Sequence, residues 1–304
     1  MTGIILGSIA AFCLALAYVF SSLAVRRHRN IGPVGLLCRA HLIMGALSLI
    51  GLCFTWSPLV FSHFATIAWP LIGGVLFYLW GQTCLFMAQR KVDSSRVVPL
   101  LGLKLIVLAA INLLILKNAT YGFWQWLGIF LTLASTALLN NAGRRIGIDS
   151  LTWVILTCIG YASSDTCITE LVHRLQNIGV TGLAASSLLG AFLSYTLCGA
   201  LSLAILPWMP RQSKQVWRSV TPFAFFWLLA MLFLFACFSS IGTVNGNIIQ
   251  STRGLFAILI GALLAKAGFT ELEEKVSRAI FFRRLLAAFL MIAAIVSFNF
   301  KLNS

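Results

Sequence analysis

Negative charge is scarce in this chain: 7 Asp and Glu stand against 22 Lys and Arg among 304 residues, and charged side chains of either sign make up only 10%. With 60% of residues hydrophobic and a mean hydropathy of +0.96, a soluble globular protein is excluded. The 4 histidines show no ligand spacing. The 8 cysteines (Cys13, Cys38, Cys53, Cys84, Cys158, Cys167, Cys198, Cys237) form no CxxC pair and fall inside apolar runs. They read as small buried hydrophobes, so neither a disulfide, a metal nor another cofactor is expected. A membrane enzyme would need His, Asp, Glu or Cys grouped near one membrane face; none appears, and no enzymatic activity is expected. The formal charge of +15 would suggest nucleic acid in a soluble chain. Here the basic residues lie in short loops between apolar runs, where positive-inside orientation accounts for them without a nucleic-acid partner.

What the chain has in abundance is apolar runs of membrane-crossing length, about 20 residues each. They predict ten spans: 3–25, 34–56, 68–88, 97–116, 123–140, 151–171, 180–206, 222–241, 245–266 and 285–300. The fold class expected is therefore an all-α polytopic membrane protein of ten transmembrane helices. Arg26 and Arg27 after the first span mark a retained helix rather than a cleaved signal. Most Lys and Arg lie in connections after odd-numbered spans, which predicts both termini outside a plasma membrane.

Three charges break the apolar runs. Arg253 stands near the middle of the run Asn245 to Lys266, and Lys104 stands at the same depth in Pro99 to Lys117. A charge at the centre of a membrane helix costs about 2.5–3.5 kcal/mol on insertion scales, so such residues face a bundle interior or a wet cavity. Lys104 to Lys117 repeats the spacing of Arg253 to Lys266, and Leu85-Phe86 stands in the same relation to Leu234-Phe235. This reads as an internal duplication, residues 1–143 and 150–304 forming two five-helix repeats packed as one bundle. An odd number of helices per repeat inverts the second copy, the architecture in which alternating-access carriers hold substrate near the midplane.

The third charge, Asp165, shares a polar stripe with Tyr161 and Thr169, while Arg39 is placed to snorkel toward the basic loop. Tyr78, Gln82, Leu85 and Gln89 share one helical face, and Asn112 shares a face with Lys104. The small residues of span seven suit close helix packing. Ala267 to Arg284, which carries Glu271, Glu273 and Glu274, is expected to form a short surface helix.

The sequence resembles the drug/metabolite transporter superfamily, in particular its ten-helix EamA-like carriers. The residues that carry the likeness are the five-plus-five duplication, Pro33 and Arg39 entering span two, the basic residue after each fourth helix, and the entry to span five, Phe123-Trp124-Gln125-Trp126-Leu127-Gly128. Members usually carry a Glu after the fourth helix of each half, where this chain has Lys117-Asn118 and Lys266. The resemblance implies a secondary transporter, and the organophosphate and nucleotide-sugar branches place basic residues on their fourth and ninth helices in a similar way.

Two cations facing one chamber repel each other and stay desolvated unless an anion sits between them. The leading expectation is therefore a carrier of a small organic anion: a carboxylate, a phosphorylated metabolite or a lipid-like head group. Arg253 suits bidentate recognition and Lys104 a point charge. Gln250 and Asn247 lie on roughly the face of Arg253, and Tyr78, Trp80, Phe226 and Trp227 would wall the pocket. Asp165 either pairs with one of the cations or supports the alternative, a proton-coupled exporter of cationic or amphipathic compounds. Lipid flipping uses the same scaffold. Membrane lipid is the expected surround, and a homodimer is one arrangement of the assembly.

Overall fold

The computed structural model of the protein describes residues 2–28, 30–104, 106, 107, 110, 122–140, 146–268 and 277–299. Asn112, Lys117, the tripeptide Asn118-Ala119-Thr120, whose sequence fits an N-glycosylation acceptor, Arg144, Arg145 and the acidic stretch 271–275 lie outside the described residues. Every described element is helical, and seven helices are long and apolar enough to cross a membrane. The protein is an integral multi-pass membrane protein.

The chain opens with α1 (Thr2–Arg27), α2 (Pro33–Thr55), α3 (Phe64–Gln89) and α4 (Ser94–Leu100), the last continuing into a 3-10 turn, Leu101–Leu103. The first half ends with α5 (Phe123–Asn140), and the second contains α6 (Ile148–Asn177), α7 (Leu183–Ile205), α8 (Lys214–Ser251), α9 (Arg253–Lys266) and α10 (Arg278–Asn299). Pro33 occupies the first turn of α2, where its missing N–H costs no hydrogen bond. At the end of α6, Gly179 takes φ 100 and the Val180 N–H reaches back to the Leu175 carbonyl at 3.0 Å. That is a Schellman cap, completed by packing of Val180 in the same apolar cluster as Leu175.

The helices pack in pairs that join the two halves: α1 with α8, α3 with α6, α2 with α7, α4 with α9 and α5 with α10. Glycines permit two of the closest approaches. A Cβ on Gly199 would fall 2.7 Å from the Gly45 Cα, and one on Gly160 would fall 2.7 Å from the Gly81 Cα. Without a hydrophobic drive between helices in lipid, such small-residue contacts supply the van der Waals attraction that holds them.

The connection between the expected spans 222–241 and 245–266 is hydrogen-bonded as helix, yet α8 is not one straight rod. A Cβ on Gly7 would lie 2.9 Å from both Cys237 Sγ and Ile249 Cγ2, whereas residues so far apart in sequence stand about 18 Å apart along a straight helix. The chain therefore bends back between them. Gly246 allows it, since a Cβ there would collide with the Phe238 ring.

Polar contacts sort the connections to two ends. Arg26 pairs with Asp93 at 2.5 Å, Lys91 with Asp149 at 3.5 Å, and His28 meets Ser219 at 3.0 Å, all at one end. At the other end Arg174 binds Glu170 and the Thr66 carbonyl, both at 2.6 Å, and lies over the Trp69 ring. Arg39 does not reach water by snorkelling. It is 2% exposed, and donates to the carbonyls of Gly35 at 2.6 Å and Pro210 at 2.7 Å, tying α2 to the connection before α8.

Candidate functional site

Lys104 and Arg253 line one buried chamber together with Asp165. Both cations sit at breaks in helical structure. Lys104 follows the 3-10 turn Leu101–Leu103, in a segment whose α-helix already contains Pro99. Arg253 is the first residue of α9, after α8 tightens at Thr252, whose N–H and hydroxyl both donate to the Ile249 carbonyl at 3.1 and 2.7 Å. Arg253 thus follows a one-residue turn at Thr252, inside the candidate membrane span Ile249–Lys266. Discontinuous helices are where transporters expose backbone and side-chain groups to substrate, and a helix N-terminus favours negative charge. The two breaks touch, since a Cβ on Gly254 would lie 3.2 Å from the Pro99 Cα.

Lys104 Nζ donates to Asp165 Oδ2 at 2.5 Å and to Gln250 Oε1 at 3.2 Å. The side chains of the ion pair are 7% and 8% exposed. Arg253, 4% exposed, has no carboxylate within ion-pair distance among the described residues, and its guanidinium lies 5.7 Å from the centre of the Tyr18 ring. The chamber thus holds one neutralised cation and one that is not.

Aromatic rings surround these charges. Tyr78 packs 5.8 Å from Trp227, Tyr18 5.5 Å from Trp227, and Tyr78 6.4 Å from Tyr161. Their polar ends are anchored away from the charges. Tyr161 donates to Gln82, and the Trp227 Nε1–H donates to the Tyr195 hydroxyl at 2.7 Å. Because His41 Nδ1 faces the Leu37 carbonyl at 2.8 Å it carries the proton, so Nε2 accepts from the Tyr78 hydroxyl at 3.0 Å. The chamber volume is about 20 Å³, room for about one water molecule.

Residues 1–141 match the EamA-like transporter family. That family is part of the drug/metabolite transporter superfamily, and the likeness covers the first half of the chain. No curated protein matches. A solved crystal structure is similar in fold over 95% of this chain and 96% of its own, with a TM-score of 0.58 at 14% identity. The likeness extends over both halves and concerns the fold alone.

Most of the residues expected at the site come together. Lys104, Arg253, Gln250, Tyr78, Tyr161 and Asp165 all line the chamber, and Gln82 sits one hydrogen bond behind it. Asn247 is buried near the α8 bend and does not line the chamber. Trp80 is a correction: it is 41% exposed on the outside of the bundle. Two residues beyond Tyr78, it points about 200° round the helix and faces lipid while Tyr78 faces inward. Phe226 likewise packs outside the chamber, stacked on Phe20. Lining residues that the pattern did not single out include Tyr18, Ile168 and Met231, with His41 and Tyr195 behind them. Their signal was weak, because an aromatic, isoleucine or methionine in an apolar helix has no charge to hide from lipid.

Proposed function

We propose that this transporter carries a small organic anion by alternating access between two inverted halves. The observation that carries the reading is the buried guanidinium of Arg253, which has no carboxylate partner among the described residues. Burying a charge without a counter-charge is expensive in a low-dielectric interior, and a bound anion removes that penalty. Asp165 would attract a cationic cargo, but its Oδ2 is taken by Lys104 at 2.5 Å, which weighs against the drug-cation reading.

The packing pairs support the inverted repeat. Exchanging the halves turns α1–α8 into α6–α3 and leaves α2–α7, α4–α9 and α5–α10 unchanged. The sequence interval from Lys104 to Arg253 also separates Tyr78 from Trp227, and all four line the chamber. The chamber would open by moving one half against the other, in a membrane where the basic end faces the cytoplasm. The experiment is a thermal-shift screen of purified protein against metabolite anions, followed by uptake into proteoliposomes. A ligand binding only the folded state must stabilise it. Anions that stabilise the wild type but not Arg253→Gln support the reading, and cations that stabilise it through Asp165 while no anion does would end it.

A further inference from the structure

The charged side chains lining the chamber are Lys104, Asp165 and Arg253. Lys104 and Asp165 touch at 2.5 Å, so the pair is neutral whether the proton between them sits on nitrogen or on oxygen, and the chamber carries one net positive charge. We propose that Asp165 sets the valence of the cargo: by neutralising Lys104 it makes the chamber select a singly charged anion with an apolar body over a doubly charged one of similar shape. This deepens the anion reading above and rests on it.

The least costly occupant of a low-dielectric chamber brings its charge to zero. A monoanion does so against Arg253, whereas a dianion leaves one uncompensated negative charge. Two of the chamber's other polar atoms are already engaged. The Ser164 hydroxyl donates to the Gly74 carbonyl at 3.0 Å, and the oxygen of Gln250 is engaged by Lys104. The Lys104 ammonium would be available only if Asp165 let it go. Elsewhere the walls are aromatic and aliphatic, Tyr18, Trp227 and Met231 among them, and match an apolar body better than a hydrated one. Asp165 acts here as a specificity-determining residue inside the site.

The test uses benzoate and phthalate, one aromatic ring with one or two carboxylates, both ionised at neutral pH. Each is measured by thermal shift and by competition for uptake in proteoliposomes of the full chain. The wild type should prefer benzoate by about tenfold or more, the scale of one poorly compensated buried charge. Asp165→Asn raises the chamber to two positive charges and should reverse the order. Lys104→Gln/Asp165→Asn returns it to one and should restore the preference for benzoate. Where Asp165→Asn does not fold, Lys104→Gln tests the count from the other side. With net charge zero, benzoate should lose its advantage over neutral benzamide. An unchanged benzoate-to-phthalate ratio in Asp165→Asn, a double variant that still prefers phthalate, or a Lys104→Gln variant that still favours benzoate over benzamide would overturn the proposal while leaving an anion carrier intact. Absence of any response to either anion in the wild type would overturn both readings.

Discussion

Gly254 stands against Pro99 so closely that a Cβ added to it would lie 3.2 Å from the Pro99 Cα. The residue that follows Arg253 thus fixes the crossing of α9 over the segment that carries Lys104, and the two helix breaks meet at one point of the bundle.

A branched side chain at that crossing should act as a wedge. Gly254→Val is expected to cost about 1–3 kcal/mol, the usual penalty of overpacking, and to lower anion transport by spreading the chamber. Gly32→Ala serves as the control, since a Cβ there meets nothing within 4 Å. Thermal unfolding in detergent and uptake into proteoliposomes would read both effects. A Gly254→Val protein as stable and active as the Gly32→Ala control would show that the crossing is loose.

The Lys104–Asp165 pair should behave as a coupled unit. Removing one partner of a buried pair leaves the other charge without compensation and costs about 3–5 kcal/mol, while removing both avoids that penalty. Lys104→Gln and Asp165→Asn are each expected to lower the unfolding midpoint, and the double variant should lose much less than the sum. A strictly additive double-mutant cycle would mean that the contact contributes nothing.

How far this site could be read from the sequence follows from the kind of residue involved. Lys104, Asp165 and Arg253 were legible because a charge inside an apolar run has few places to go. One span was legible in its limits, since length and hydropathy place α5 at Phe123–Asn140, whereas α8 runs from Lys214 to Ser251 across the expected boundary between spans 222–241 and 245–266. The helix breaks were less so. Pro99 announces one, but nothing in Gln250-Ser251-Thr252 forbids helix, and the break there is made by the tertiary crossing at Gly254. Aromatic residues were the hardest. Trp80 and Trp227 look alike in sequence, and only the rotation of their helices sends one to lipid and the other to the chamber.

Tyr18 gives Arg253 a ring face in place of a carboxylate, at 5.7 Å. A desolvated cation–π contact is worth about 2 kcal/mol, and the ring rather than the hydroxyl supplies it. Tyr18→Phe should therefore retain stability and anion affinity, whereas Tyr18→Leu should lose both. The backbone carbonyl of Tyr18, which accepts from Ser94 at 2.7 Å and Gln89 at 3.2 Å, is present in either variant. Equal losses in Phe and Leu variants would assign the effect to the hydroxyl instead.

Orientation follows from the charge asymmetry of the two ends. The end that gathers Arg26, Lys91, Arg211, Lys214 and Arg218 is basic, whereas at the opposite end Arg174 is already held by Glu170. Positive-inside bias predicts the first end in the cytoplasm and the N-terminus of α1 outside. Ser62 and Ser213 are exposed at opposite ends, and the Ser213 side chain caps nothing in α8, so a cysteine at either position should be tolerated. A membrane-impermeant maleimide should label Ser62→Cys on intact cells and Ser213→Cys only after permeabilisation. The reverse pattern would place the basic end outside and turn the carrier over in its membrane.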